Sequence, residues 1–186
     1  MEINGSPIQP QTNLTGANLQ GANLQGLDLM DANLTGANLT GANLTGANLT
    51  GANLTGAFLS SAKLESAEMM VANFEDATLT GANLQGANLL RANLRCADLR
   101  GANLTNTTLL AANLWCADLR DSSLNRSNLS YALMHLADLN NADLRDAILI
   151  DAILIRANLR GANLRGAHLQ GATLTGATMP EGTVHD

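Results

Sequence analysis

Residues 36–56 read GANLTGANLTGANLTGANLTG, four copies of a five-residue unit followed by the glycine of a fifth. The period runs far beyond this stretch. From Leu14 to Met179 every fifth residue is Leu, Met or Phe without a slip, which makes 34 units; all centres are Leu except Met69, Phe74, Met134 and Met179. Two residues before the centre stands Ala, replaced only at Thr12, Leu27, Thr107, Ser122 and Ser127. The residue between them is usually Asn or Asp, as at Asn38, Asn83 and Asp98.

A period of five matches neither the 3.6-residue stripe of a helix nor the two-residue alternation of a strand. Within one unit, however, Ala and Leu are two apart, so they share a face while the Asn between them points away. Because five is odd, continued alternation would turn the next unit inside out. The chain must bend once per unit, and the frequent Gly two residues after the centre, as at Gly41 and Gly46, suits that bend. A coil with Ala and Leu inside follows. Its circumference has an internal hint: RANLRCADLR at 91–100 nearly recurs as AANLWCADLR at 111–120, pairing Cys96 with Cys116, Asp98 with Asp118 and Arg100 with Arg120. Twenty residues are four units, hence a four-sided coil.

On these A-N/D-L-x-x units the chain resembles the pentapeptide-repeat family. The resemblance covers about 13–179 and implies an all-β fold, a right-handed quadrilateral parallel β-helix of about 8 coils. At the usual strand spacing such a rod is roughly 41 Å long. The text degenerates at 57–79 (AFLSSAKLESAEMMVANFEDATL) but keeps phase. The expected organisation is therefore an N-terminal tail or cap at 1–11, a single β-helix at 12–179 and a C-terminal tail at 180–186. The resemblance also implies a bacterial, cyanobacterial-like source.

Composition agrees with a narrow aliphatic core: 46% of residues are apolar but only 2% aromatic. Sixteen acids against ten bases leave a net charge of −6, with no basic footprint for nucleic acid. No apolar run reaches the ~18 residues that span a membrane, and MEINGSPIQPQ has no signal-peptide pattern. The expected setting is cytoplasmic, with neither nucleic acid nor membrane as partner.

Catalytic chemistry is sparse. His135 and His168 fall on different sides of a twenty-residue coil, and His185 lies in the tail. No Ser or Cys has a base at a plausible position. Asp98, Asp118 and Asp138 form a ladder one coil apart that could hold a cation; the plainer reading is a solvated face neutralised by Arg100 and Arg120. Cys96 and Cys116 stack within disulfide reach, although reduced thiols are the expectation in a cytoplasmic protein. Thr107, Ser122 and Ser127 sit at core positions where a hydroxyl can bond to a backbone carbonyl. With Leu and Ala filling the interior, we expect no enzyme, no cofactor and no metal site.

The outward positions are polar in the first third and change later. The side centred on Leu94, Leu114, Met134 and Leu154 carries Trp115, Leu133, Leu136, Ile153 and Ile155. The adjoining side, centred on Leu89, Leu109, Leu129 and Leu149, carries Met70, Leu90, Leu110, Tyr131, Ile148 and Ile150. A contiguous apolar patch marks an interaction face, for a protein partner or a second copy; the plainer alternative is that these side chains stack as ladders along a β-surface. Trp115 also stands one coil from Arg95 and His135, within reach of a cation–π stack. An end left uncovered around Leu174 offers a second route to a homodimer.

The expected role is thus a non-enzymatic structural or interaction protein that presents a rigid β-helix surface to a protein partner. The alternative comes from the resemblance, since quinolone-resistance members of the family mimic DNA and bind gyrase. Duplex DNA of about 41 Å would carry some 24 negative charges at one per ~1.7 Å. A net charge of −6 falls far short of that.

Overall fold

The computed structural model describes residues 2–3, 6–7 and 9–186; residues 1, 4, 5 and 8 of the expected leading segment lie outside the described residues. In that segment β1 (Glu2–Ile3) pairs antiparallel with β2 (Ser6–Pro7). The repeat then begins. Parallel bridges join residues twenty apart without interruption, from Asn13 with Asn33 to Asn158 with Thr178. Four units therefore make one coil, and each unit forms one side. The degenerate stretch obeys the same register, with Lys63 bridged to Asn83 and Glu68 to Asn88.

The unit disposes of its backbone donors completely, which is why five residues suffice. In the unit 37–41, the Ala37 amide closes a tight turn onto the Leu34 carbonyl at 3.0 Å. Asn38 donates to the Ala17 carbonyl one coil back (2.9 Å), and Leu39 donates to the Phe58 carbonyl one coil ahead (2.7 Å). Gly41 donates forward to the Ser60 carbonyl at 2.9 Å. The remaining amide, of Thr40, is taken by the side-chain Oδ1 of Asn38 at 3.1 Å. This last bond explains the Asn or Asp before most centres: an Asx side chain accepts from the amide two residues on. The same bond recurs in units far apart, from Thr15 on Asn13 (3.1 Å) to Arg165 on Asn163 (3.2 Å).

Ala and the centre residue point inward as the spacing predicts. Centres from Leu24 to Leu159 are at most 1% exposed, Phe74, Met69 and Met134 among them. The three hydroxyls in the Ala row are satisfied: Thr107 donates to the Leu84 carbonyl (2.9 Å), Ser122 to that of Leu119 (2.6 Å) and Ser127 to that of Leu124 (2.7 Å). Among the described residues no buried side-chain polar atom lacks a partner.

The bend is where the structure departs from the sequence expectation. It requires the left-handed backbone conformation, φ 65° at Gly41. Glycine adopts that freely, but the structure imposes it on other residues too. At every bend from Asn106 to Arg156 a non-glycine residue holds φ between 54° and 63°, including Tyr131 and Leu136. For ordinary side chains this costs about 1–2 kcal/mol apiece, and the inter-coil ladder carries the cost.

The C-terminal segment 180–186 is not a simple tail. It reverses across one side of the last coil, pairing Thr178 antiparallel with Val184. Met179 donates to the Thr183 carbonyl (2.7 Å), and His185 exchanges bonds with Gly176 and Ala177 (both 2.8 Å). Ala177 is fully buried as a result. The other sides of that coil, at Leu164, Leu169 and Leu174, remain half-buried. The expected uncovered end is thus closed on one side.

Two substitutions separate core from bend. Leu104→Ala should lower unfolding free energy by about 2–5 kcal/mol through the cavity it leaves. Gly41→Ala meets no atom within 4 Å of its new Cβ, so its cost, about 1 kcal/mol, is conformational alone. Denaturant titration of both variants against wild type reads the difference.

Candidate interaction face

The two sides singled out by sequence meet along one corner, and the structure divides their apolar residues into two groups. Trp115, Tyr131, Leu133 and Leu136 are exposed, with Tyr131 at 57% and Leu136 at 49%. Leu90, Leu110, Ile148, Ile150, Ile153 and Ile155 are half-buried. The register sets each of them beside the equivalent position one coil away, as the bridge between Leu133 and Ile153 shows. Ladder stacking and an exposed apolar surface therefore coexist along this corner.

Polar ladders show what these residues replace. On the Leu114 side the Asn93 side-chain amide donates to the Asn73 Oδ1 (2.8 Å), and Asn113 donates to Asn93 (3.0 Å). At the next coil the ladder stops, and Leu133 and then Ile153 occupy its positions. On the adjoining side Ile148 takes the place of the Asn128 one coil back. These substitutions also remove the Asx acceptor. Among the described residues the amides of His135, Ile150 and Ile155 receive no acceptor from the protein.

Trp115 is held from below. The Glu75 carboxylate pairs with Arg95 at 2.5 Å, and the Arg95 guanidinium lies 4.6 Å from the Trp115 ring centroid. The three residues are one coil apart in sequence, so an acid, a base and an indole form a vertical stack. Hydrogen bonding to Glu75 raises the Arg95 pKa above its ordinary value; the cation stays charged beneath the ring.

Beside the stack lies a groove that the sequence reading did not identify. It encloses about 580 Å³ and is lined by Leu90, Arg91, Leu110, Ala111 and Tyr131. Arg91, Ala111 and Tyr131 hold the same bend position in three successive coils, and the small Ala111 makes the dip between its larger neighbours. The spacing of 20 made that dip legible: one small residue between two large ones at a single bend position.

The acidic ladder next to the Leu114 side is neutralised within itself. Arg100 binds Asp98 through two bonds (2.9 and 2.6 Å) and Arg120 binds Asp118 likewise (2.8 and 2.6 Å). Each Arg also reaches the Asp of the next coil, Asp118 at 3.6 Å and Asp138 at 3.7 Å. Arg145 and Asp143 repeat the fork elsewhere on the rod (2.8 and 2.7 Å). Among the described residues no cluster of three metal-ligating side chains occurs.

The family pattern described as pentapeptide repeats matches residues 10–36, 28–65, 72–109, 111–141 and 137–176. The chain belongs to the pentapeptide-repeat family. Among solved structures it is similar to HetL, a pentapeptide-repeat protein involved in heterocyst differentiation regulation from the cyanobacterium Nostoc sp. strain PCC 7120. The two are 38% identical over 95% of this chain and 88% of HetL, with a TM-score of 0.62. QnrB1, a plasmid-mediated fluoroquinolone resistance protein, shares the fold at 20% identity and a TM-score of 0.59, over 88% of this chain and 89% of QnrB1. Among curated proteins no sequence match is found. As a pentapeptide-repeat protein the chain is a right-handed quadrilateral β-helix, and among the described residues no helix is long and apolar enough to cross a membrane.

The forks predict a pH effect. Arg100 holds Asp98 below the usual carboxylate range, helped by its own backbone amide, and Arg145 does the same for Asp143. A carboxylate more acidic in the folded than in the unfolded chain stabilises the fold above the unfolded pKa. That contribution is lost as pH falls through the lowered folded value. Acid titration should show an Asp98→Asn/Asp143→Asn variant losing less stability than wild type below about pH 4, with little difference at neutral pH because exposed pairs are screened.

Proposed function

We propose that this pentapeptide-repeat protein is a non-enzymatic interaction scaffold whose working surface is the apolar corner around Trp115, Tyr131, Leu133 and Leu136. The observation that carries this reading is the replacement of Asx by Leu133, Ile148 and Ile153. Where Asx holds that position, as at Asn38 and Asn113, it satisfies a backbone amide. Phe58, Lys63, Glu68, Thr78, Thr108, Ser123, His168 and Thr173 depart from it too, but the aliphatic replacements fall at this corner alone. Substituting an aliphatic residue forfeits that bond and places partly exposed apolar surface on the outside. Departures of this kind concentrate where a protein is used. The run of strained non-glycine bends from Asn106 to Arg156 spans the same coils and puts side chains where glycine would show none.

The partner is a protein, and the supporting features are those of a protein–protein contact: aromatic anchors, a groove and a polar surround. Similarity to HetL, whose described role is regulatory, supports a signalling scaffold in a bacterial cytoplasm. The rod at 12–179 acts as one domain on this reading. DNA mimicry is the weaker alternative, because the forks at Asp98, Asp118 and Asp143 cancel the charges a phosphate row would need.

A Leu133→Asn/Ile153→Asn variant restores the family residue at two stacked positions. It should fold with unchanged or higher thermal stability, since each regained amide bond contributes about 0.5–1.5 kcal/mol, while its association is lost. Light scattering tests self-association, and a photo-crosslinker at Leu136 compared with one at Asn125 tests a partner. A variant that keeps every association of the wild type would sink the assignment of this corner.

A further inference from the structure

Cys96 and Cys116 are the only two cysteines of the chain, and the twenty-residue coil puts them at the same bend position in adjacent coils. The Cys96 amide donates to the carbonyl of Trp115, the residue before Cys116, at 2.9 Å. Both residues hold the left-handed conformation, φ 53° and 63°, so their side chains leave the corner in nearly the same direction. Adjacent coils are about 4.8 Å apart, within the span of roughly 4.4–6.8 Å that a disulfide bridges between Cα atoms. The structure holds both as free thiols, Cys116 exposed and Cys96 half-buried.

From this register we propose that Cys96 and Cys116 form a two-thiol modification site that closes reversibly to an intramolecular disulfide by exchange with a small disulfide of the glutathione class. Access assigns the order of events. The exposed Cys116 loses its proton to water, and its thiolate attacks one sulfur of glutathione disulfide, expelling one glutathione thiolate. The Cys96 thiolate then attacks the Cys116 Sγ and expels the second glutathione. The two protein thiols are oxidised by two electrons, one glutathione disulfide is reduced to two glutathiones, and the two protons released end on the glutathione thiolates. Burial, with the neighbouring Cys116 thiol second, pushes the Cys96 thiol above its ordinary range, in keeping with its place as the second, intramolecular nucleophile.

Geometry also makes the bond reversible. Side chains stacked in parallel keep their Cβ atoms near the coil spacing of about 4.8 Å, just beyond the usual disulfide separation of roughly 3.5–4.5 Å. The bond forms under tension, and strained disulfides are the readily reduced ones. It ties two coils together beside the Arg95–Trp115 stack, yet the site stands on the backbone register and does not depend on what the apolar corner binds.

The test incubates the folded, reduced chain with glutathione disulfide and follows intact mass, free thiols and size. The expected product is a monomeric-mass species two hydrogens lighter than the reduced chain, with both thiols lost and both recovered on adding dithiothreitol. The Cys96→Ser variant should instead stop at a single glutathione adduct on Cys116, which shows that Cys96 is the resolving thiol. Retention of both thiols, a persistent glutathione adduct on the wild type, or a disulfide-linked dimer as the main product would each overturn the proposal.

Discussion

Everything in this molecule hangs on the hydrogen bonds between coils. Each centre residue donates forward to the carbonyl of the residue before the next coil's centre, as Leu39 does to Phe58, and each residue before a centre donates backward, as Asn38 does to Ala17. These bonds are satisfied together only when residues twenty apart lie in register. That condition forces four equal sides, and four equal sides force a cavity of one size that Leu and Ala must fill. The core follows from the ladder as much as the ladder from the core. A slip of one residue would break the bonds and turn the Leu row outward at once.

A fold held this rigidly can tolerate local faults that a looser one could not. The left-handed bend is cheap with glycine and costly with Tyr131, Leu136 or Val71, yet the backbone takes the same shape at all of them. The Asx acceptor is absent beneath Leu133, Ile148 and Ile153, and the bridges run on undisturbed. The coils thus separate two tasks. Inward positions and the backbone maintain the rod, while outward positions are free to be chosen for what they meet. The GANLT text at 36–56 spends almost nothing on the second task; residues 106–156 spend a good deal.

The electrostatics follow the same division. Acids and bases two residues apart, as in Asp98 with Arg100, close on each other in forks and reach one coil further to the next acid. Glu75, Arg95 and Trp115, each one coil apart, build a vertical stack that fixes the orientation of an otherwise exposed indole. The forks close most tightly within a unit, and the short coil spacing brings vertical neighbours within reach as well.

By itself the sequence determined the period, the inward rows and the phase through the degenerate stretch; the four-sided coil came from the resemblance to the pentapeptide-repeat family, with support from the echo of 91–100 in 111–120. It could do so because strict repetition makes local geometry and global fold the same statement. It also named the two sides on which apolar residues gather, since faces follow from counting modulo twenty. Only the tertiary structure decided which of those residues are exposed, because exposure depends on how neighbouring coils cover each position: Tyr131, at a bend, stays open, while Ile150, one place after its centre, is half-covered. Only it showed the groove at Ala111, the imposed left-handed bends without glycine, and the return of residues 180–186 over the last coil. Those depend on contacts between coils and on departures from the repeat, about which a repeat pattern is silent.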